Sequence, residues 1–129
     1  MVFACRDVTY SVVSCVLIVD DNPVVRKVIR DLLTAAGVEI CAEAVDGIDA
    51  LEKAAAVNPT LVILDLAMPP LGGLEVAKRL RMLRPCPPVI LYTLHADVFR
   101  SQPLPEGVDL VVAKGEPLVP SVMAMLAAS

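Results

Sequence analysis

Residues 16–37 read VLIVDDNPVVRKVIRDLLTAAG, and this stretch decides the fold. It opens with the apolar run Val16 to Val19, which is too short for a helix and typical of a strand buried on both faces. After the acidic pair, Asn22 and Pro23 predict the start of a helix, because asparagine caps free N–H groups and proline fits the first turn. Gly37 predicts its end. Apolar side chains recur between them on one helical stripe: Val25, Val28, Ile29, Leu32, Leu33 and Ala36.

The same alternation of short apolar runs and helical segments continues along the chain. Strands are predicted over residues 16–20, 39–43, 60–65, 89–93 and 108–113. Further helices are predicted over about 46–57, 73–83 and 118–127. The fourth connection holds only a short helical turn over 96–100, because Pro103 and Pro105 cannot lie inside a regular helix. This order predicts one α/β domain with a doubly wound parallel sheet and right-handed crossovers.

The composition excludes several classes of protein. With 129 residues, 57% hydrophobic and 20% charged, the chain has the size of one domain and is too apolar for a disordered segment. No apolar run approaches the ~20 residues of a membrane-spanning helix. The net charge of −4 and the lack of a basic stripe argue against direct binding of nucleic acid. Residues 1–19 lack a convincing signal-peptide cleavage site, so we expect a cytoplasmic protein.

The four cysteines do not form a recognisable metal site. Cys5, Cys15, Cys41 and Cys86 are widely spaced, and the chain has a single histidine, so a zinc site is not expected. In a reducing cytoplasm we expect these cysteines to be small buried hydrophobes.

Polar residues stand at the carboxyl ends of the predicted strands. The first strand ends in Asp20 and Asp21, the third in Asp65 and the fourth in Thr93, and the fifth runs into Lys114. Singly, each would be explained as a helix cap or a surface residue. Together they would meet at one edge of the sheet, where doubly wound folds bind ligands. Three carboxylates suit Mg²⁺, and a hydroxyl with an ammonium suits a phosphoryl group.

These motifs resemble the receiver domain of bacterial two-component response regulators, in particular a single-domain, chemotaxis-type receiver. The resemblance covers about residues 15 to 127 and implies a flavodoxin-like sheet with strand order 2-1-3-4-5. It divides the chain into an N-terminal extension, 1–14, and a receiver domain, 15–129. The segments that carry it are VLIVDDNP (16–23), LVILDLAMP (61–69), LYT (91–93) and VVAK (111–114).

The resemblance also implies the metal ligands and the phosphoryl acceptor. Asp65 would accept a phosphoryl group from the phosphohistidine of a histidine kinase. Asp21, Asp65 and the backbone carbonyl of Ala67 would bind Mg²⁺, and Asp20 would act through a water molecule. The domain would thus be a phosphoacceptor that promotes its own phosphorylation and dephosphorylation without being an enzyme in other respects.

Two further roles and the partners follow from the same resemblance. Thr93 would hydrogen-bond the phosphoryl oxygens when the switch closes, and Lys114 would form an ion pair with the phosphoryl group. The donor would be a histidine kinase or a phosphotransfer protein, and the output a change in binding to a downstream protein. Only 15 residues follow Lys114 (129 minus 114), so we expect no output domain in this chain, and a homodimer is left open.

Four positions depart from the usual pattern of that family. Leu94 follows the switch hydroxyl, where a small residue is usual, and we expect it to crowd the mouth of the pocket. Val111 replaces an aromatic residue three positions before the lysine. Gly115 stands where a proline usually follows the lysine, and Gly72-Gly73 stands in place of Asp-Gly.

Two other functions remain as alternatives. The first is a receiver-like interaction scaffold that works without phosphorylation, which Leu94 and the irregular fourth segment would favour. The second is a phosphotransfer enzyme of another α/β family, such as an aspartyl phosphatase. Those enzymes carry Asp-x-Asp after the first strand, whereas Asp20 and Asp21 are adjacent.

Overall fold

A computed structural model describes residues 14–100 and 102–128 of the protein. All five strands are parallel, and their order in the sheet is β2-β1-β3-β4-β5, as predicted. The strands are β1 (Cys15–Val19), β2 (Glu39–Ala44), β3 (Leu61–Leu64), β4 (Val89–Thr93) and β5 (Leu110–Ala113). The helices are α1 (Pro23–Ala35), α2 (Gly47–Val57), α3 (Gly73–Leu80), α4 (Asp97–Arg100) and α5 (Val119–Ala127). Apart from Ser14, the predicted N-terminal extension lies outside the described residues.

The core lies in two layers, one on each face of the sheet, because successive strand residues point to opposite faces. In β1, Leu17 faces the layer that contains Val76 of α3 and Ala50 of α2. Its neighbour Ile18 faces the other layer, which contains Ile29 of α1 and Val122 of α5. Both faces of the sheet are therefore covered, which explains the uninterrupted apolar runs in the strands.

Helix α1 begins as its sequence predicts. The Asn22 side chain accepts hydrogen bonds from the N–H groups of Val24 and Val25, at 2.8 and 3.3 Å, and Pro23 occupies the first helical position. The apolar stripe is wider than the buried face, since Ile29 and Leu33 are buried but Val28 and Leu32 are 50% and 44% exposed. The sheet covers only part of the stripe and leaves an apolar strip on the surface.

The later elements differ from the prediction mainly at their ends. Helix α3 ends at Leu80 and not at Leu83, because residues 81–82 form a turn and residues 83–85, which include Pro85, form a bend. Helix α4 is a single turn followed by irregular chain, as the two prolines predict. Among the described residues, no helix has both the length and the hydropathy needed to cross a bilayer.

The prediction of buried, reduced cysteines is wrong where the structure tests it. Cys15 of β1 and Cys41 of β2 form a disulfide, with their Cα atoms 5.3 Å apart. The register between the two strands shifts at this point and leaves Cys41 as an extra residue of β2, beside Cys15. Cys86 is an exposed free thiol. Cys5 lies outside the described residues.

Candidate functional site

The strand ends bring the predicted polar residues to one edge of the sheet. Asp20 directly follows β1 and Asp65 directly follows β3, and these neighbouring strands are in register at their last residues, Val19 and Leu64. The Asp65 N–H donates to the Val19 carbonyl at 3.0 Å, which extends the ladder by one residue. The two carboxylates therefore project from adjacent positions.

Three carboxylates form a cluster at this edge. Asp20, Asp21 and Asp65 each offer an oxygen within 4.8 Å of the others. Asp20 and Asp65 are buried, whereas Asp21 is exposed at the rim. Carboxylate oxygens are hard ligands that suit Mg²⁺, which takes one or two carboxylates and keeps several waters. The donor set therefore fits a magnesium ion that is partly open to solvent.

Lys114 lies between the two buried carboxylates. Its Nζ is 3.1 Å from Asp20 Oδ2 and 3.1 Å from Asp65 Oδ1. Lys114 directly follows β5, which is an edge strand of the sheet. The backbone N–H of Lys114 donates to the Thr93 carbonyl at 2.8 Å, which fixes the backbone beside the site. One ammonium thus neutralises part of a cluster of three negative groups.

Burial and charge act on the pKa of both partners. Burial raises the pKa of Asp65 and repulsion by Asp20 adds to this, while the hydrogen bond from Lys114 opposes it. Burial lowers the pKa of Lys114, but its hydrogen bonds to Asp20 and Asp65 outweigh this, so its pKa is raised. A cation bound at the cluster would favour the charged carboxylate of Asp65 and oppose the rise.

A small pocket of about 120 Å³ opens at the acidic edge. Thr93 is almost fully buried, and its Oγ1 accepts the His95 N–H at 3.0 Å, so the hydroxyl hydrogen remains available for donation. Leu94 is 73% exposed at the mouth of the pocket, where it was expected. The lining residues are Asp65, Ala67, Thr93, Leu94, His95 and Lys114.

Sequence reasoning missed two residues at the site. His95 lines the pocket, and Arg26 Nη1 donates to the Asp20 carbonyl at 2.7 Å. Nothing in the local sequence marks either residue, because Arg26 reads as an ordinary polar residue of α1 and His95 as a loop residue.

The departures from the family pattern have structural counterparts. Gly115 has φ +102°, in the left-handed region, which a proline with its fixed negative φ could not adopt. The backbone after Lys114 therefore differs in conformation from a loop that has proline at this position. Val111 is partly buried and packs against the core layer of α2 and α3.

Comparison with known families agrees with this geometry. The sequence model of one protein family, the response regulator receiver domain, matches residues 16–119. The chain belongs to this family. As a receiver domain of a two-component response regulator, it serves phosphorylation-controlled signalling, and a scaffold that works without phosphorylation is not favoured.

The receiver domain is similar to parts of longer proteins. It is 40% identical over 79 residues to a protein-glutamate methylesterase/protein-glutamine glutaminase of Archaeoglobus fulgidus, covering 61% of this chain and 23% of that protein. A homologous enzyme of Hahella chejuensis is 35% identical over 102 residues, which is 77% of this chain and 29% of that protein. The chain thus spans less than a third of these relatives and matches only their receiver part.

Solved structures show the same likeness. The response regulator protein TrrA from Thermotoga maritima, in complex with Mg²⁺ and BeF, is 33% identical with a TM-score of 0.76, covering 87% of this chain and 98% of that one. A LuxR-family two-component response regulator from Aurantimonas is 28% identical with a TM-score of 0.82, covering 91% and 87%.

Proposed function

We propose that Asp65 accepts a phosphoryl group, with Mg²⁺ bound by Asp21, Asp65 and the Ala67 carbonyl and with Asp20 acting through water. The observation that carries this proposal is the position of Lys114 Nζ, 3.1 Å from both Asp20 and Asp65 at the rim of the pocket. An ammonium shared by two buried carboxylates can pair with the phosphoryl oxygens when a phosphoryl group adds negative charge at Asp65.

The residues of the chain have distinct parts in the transfer. A carboxylate oxygen of Asp65 attacks phosphorus, the bond from phosphorus to the donor's imidazole nitrogen breaks, and that nitrogen keeps the electron pair. Lys114 then pairs with a phosphoryl oxygen, and the Thr93 hydroxyl donates a hydrogen bond to another. Mg²⁺ supplies neutralisation of charge on the phosphoryl oxygens and orientation of the donor.

The test of the proposal is phosphorylation by a small donor. The protein is incubated with acetyl phosphate and Mg²⁺, and its intact mass is followed. We expect the mass of one phosphoryl group to be gained, and lost again once the donor is removed while Mg²⁺ is kept in the buffer. No gain of mass, or a gain on a residue other than Asp65, would contradict the proposal.

Asp21 gives a direct test of the metal site. We expect Asp21→Ala to abolish measurable Mg²⁺ binding, because Asp21 supplies the exposed carboxylate of the cluster. A Mg²⁺ titration followed by NMR amide shifts measures this. The control is Glu52→Ala, which removes the same charge from the exposed face of α2 and should leave binding unchanged. Shifts confined to regions away from residues 20–21 and 65–67 would refute the site.

Leu94 is expected to slow access to Asp65. In-line attack requires near-contact geometry, and this side chain stands at the mouth of the pocket. Leu94→Ala should therefore speed phosphorylation by acetyl phosphate and also loss of the phosphoryl group to water. Its stability should change little, because the side chain is 73% exposed. Rates are compared at matched Mg²⁺ with Val98→Ala, an exposed residue of α4, and unchanged rates would show that Leu94 does not restrict the pocket.

We further propose the partners that the family role requires. The donor is a histidine kinase or a phosphotransfer protein, and the output is docking to a downstream protein or to a second copy of the chain. The exposed apolar side chains of Val24, Val28 and Leu32 on α1 offer surface for such contacts. Light scattering with and without a beryllofluoride mimic distinguishes a phosphorylation-dependent homodimer from a monomer.

We also propose a cytoplasmic location, because residues 1–19 lack a convincing signal-peptide cleavage site. The Cys15–Cys41 disulfide counts against it, since disulfides are rare in a reducing cytosol. Cell fractionation with thiols trapped at lysis tests the location and the state of the two cysteines together.

A further inference from the structure

Asp20 is held by its backbone as well as by its side chain. Its N–H donates to the Ala44 carbonyl of β2 at 3.2 Å, and its carbonyl accepts Nη1 of Arg26 at 2.7 Å. The carbonyl that Arg26 binds belongs to the peptide unit that joins Asp20 to Asp21. Rotation of this peptide would turn Asp21 away from the cluster, so the hydrogen bond from Arg26 constrains two of the three carboxylates.

Arg26 is itself fixed on a second side. Its side chain is 16% exposed, and its Nε lies 3.5 Å from Glu43 Oε1 in β2. Glu43 is anchored in turn by Arg30 Nη1, 2.6 Å from Oε2, and by Lys53 Nζ, which donates to the Glu43 carbonyl at 2.6 Å. The planar fork of a guanidinium can bind two acceptors in fixed directions, and here it ties the end of β1 to β2.

We propose that Arg26 is a positioning residue for the cation site, acting through the Asp20–Asp21 peptide. This inference rests on the proposed Mg²⁺ site and adds a residue that does not touch the ion. Groups that orient metal ligands typically change metal affinity by about 10–100-fold when they are removed. We expect loss of Arg26 to weaken Mg²⁺ binding by about tenfold.

The sign of the effect separates positioning from simple charge. Arg26 is positively charged and close to the acidic cluster, so by Coulomb's law alone its removal would strengthen the binding of a cation. Loss of orientation would weaken binding instead. The two explanations therefore predict opposite changes in Mg²⁺ affinity.

The experiment compares matched arginine variants by NMR titration with Mg²⁺. Arg26→Met removes the charge, the hydrogen bond to the Asp20 carbonyl and the ion pair with Glu43, but keeps an apolar stem. Arg30→Met is the control, because it removes the same charge and another partner of Glu43 without touching the Asp20 carbonyl. We expect the affinity of Arg26→Met to fall about tenfold and that of Arg30→Met to change by less than about twofold. Arg26→Lys keeps the charge and one donor nitrogen, so it should retain most of the affinity that Arg26→Met loses.

Additional measurements exclude a general loss of stability. Melting temperatures identify conditions in which every variant is folded, so that affinity is measured on native protein. Should Arg26→Met not fold, Arg26→Gln carries the same expectation, since its shorter amide lacks the charge and reach of a guanidinium. The Asp21 amide shift without Mg²⁺ should also differ from that of the parent in Arg26→Met but not in Arg30→Met.

The outcomes are distinct. A parent protein without saturable Mg²⁺ shifts would overturn the proposed cation site and, with it, the role of Arg26. A parent that binds Mg²⁺, together with unchanged or tighter binding by Arg26→Met, would overturn the role of Arg26 alone. Equal weakening in the Arg26 and Arg30 variants would also overturn it, because it would trace the effect to Glu43 and not to the Asp20 carbonyl.

Discussion

Replacement of Asp65 by Asn should abolish phosphorylation by acetyl phosphate. The amide keeps the shape of the buried side chain but is not a nucleophile, so the acyl phosphate cannot form. Intact mass after incubation with donor and Mg²⁺ measures phosphorylation, and we expect Asp65→Asn to gain no phosphoryl mass. Asp97→Asn, at an exposed aspartate of α4, is the control and should be modified like the parent. Modification of Asp65→Asn at the rate of the parent would assign the acceptor to another residue.

The same variant tests the raised pKa of Asp65 through stability. A carboxyl whose pKa is higher in the folded state stabilises the fold below its unfolded pKa, and this stabilisation is lost as the pH rises through the folded pKa. Asn imitates the neutral form at every pH. Asp65→Asn should therefore be more stable than the parent near neutral pH, with a larger free energy of unfolding, and this difference should shrink in acid. An advantage that grows in acid would contradict the direction of the shift.

Replacement of Gly73 by Ala should have the largest effect on stability among single-methyl additions near the site. A Cβ at Gly73 would lie far inside van der Waals contact of the Asp65 carbonyl oxygen, and 3.0 Å from Leu66 Cα. Both are backbone atoms, so α3 or the segment after β3 must shift. Overpacking of this kind costs about 1–3 kcal/mol, and the higher helix propensity of alanine returns at most about 1 kcal/mol. We expect a clear net loss in the free energy of unfolding.

Gly72 supplies the matched control for this prediction. It precedes α3 with φ −70°, and a Cβ there would meet only the Leu66 carbonyl oxygen, at an ordinary 3.7 Å. Gly72→Ala should cost less than about 1 kcal/mol, since alanine is only a poorer N-cap than glycine. Urea unfolding measures both variants, and acetyl phosphate labelling should be slowed in Gly73→Ala alone. Equal stabilities would show that the contact relaxes without cost.

Most of the fold was predictable because local signals and burial agree. Apolar runs such as Val16 to Val19 are buried on both faces, and the Asn22 cap begins α1 at the expected residue. The end of α3 was not predictable from periodicity, since Leu83 continues the apolar spacing although the helix stops at Leu80. The chain turns there to reach β4, and that need is tertiary.

The site was predictable to the extent that strand ends define it. Asp20, Asp65, Thr93 and Lys114 converge because parallel strands end at one edge, which a list of strands already implies. The contact between Arg26 and the Asp20 carbonyl depends on the path of a long side chain, which has no periodic signal. The chemical roles of all these residues stay predictions until the variants are measured.

The disulfide between β1 and β2 acts mainly on the unfolded chain. It closes a loop between residues 26 apart in sequence that contains all of α1, and in the chain-entropy model such a loop restricts the unfolded ensemble by about 3.5 kcal/mol. A reductant in the buffer would remove this restriction and also break the covalent link between β1 and the edge strand β2. Unfolding free energies and labelling rates of different variants are therefore comparable only at one defined thiol–disulfide state, because a routine reducing agent changes the reference protein itself.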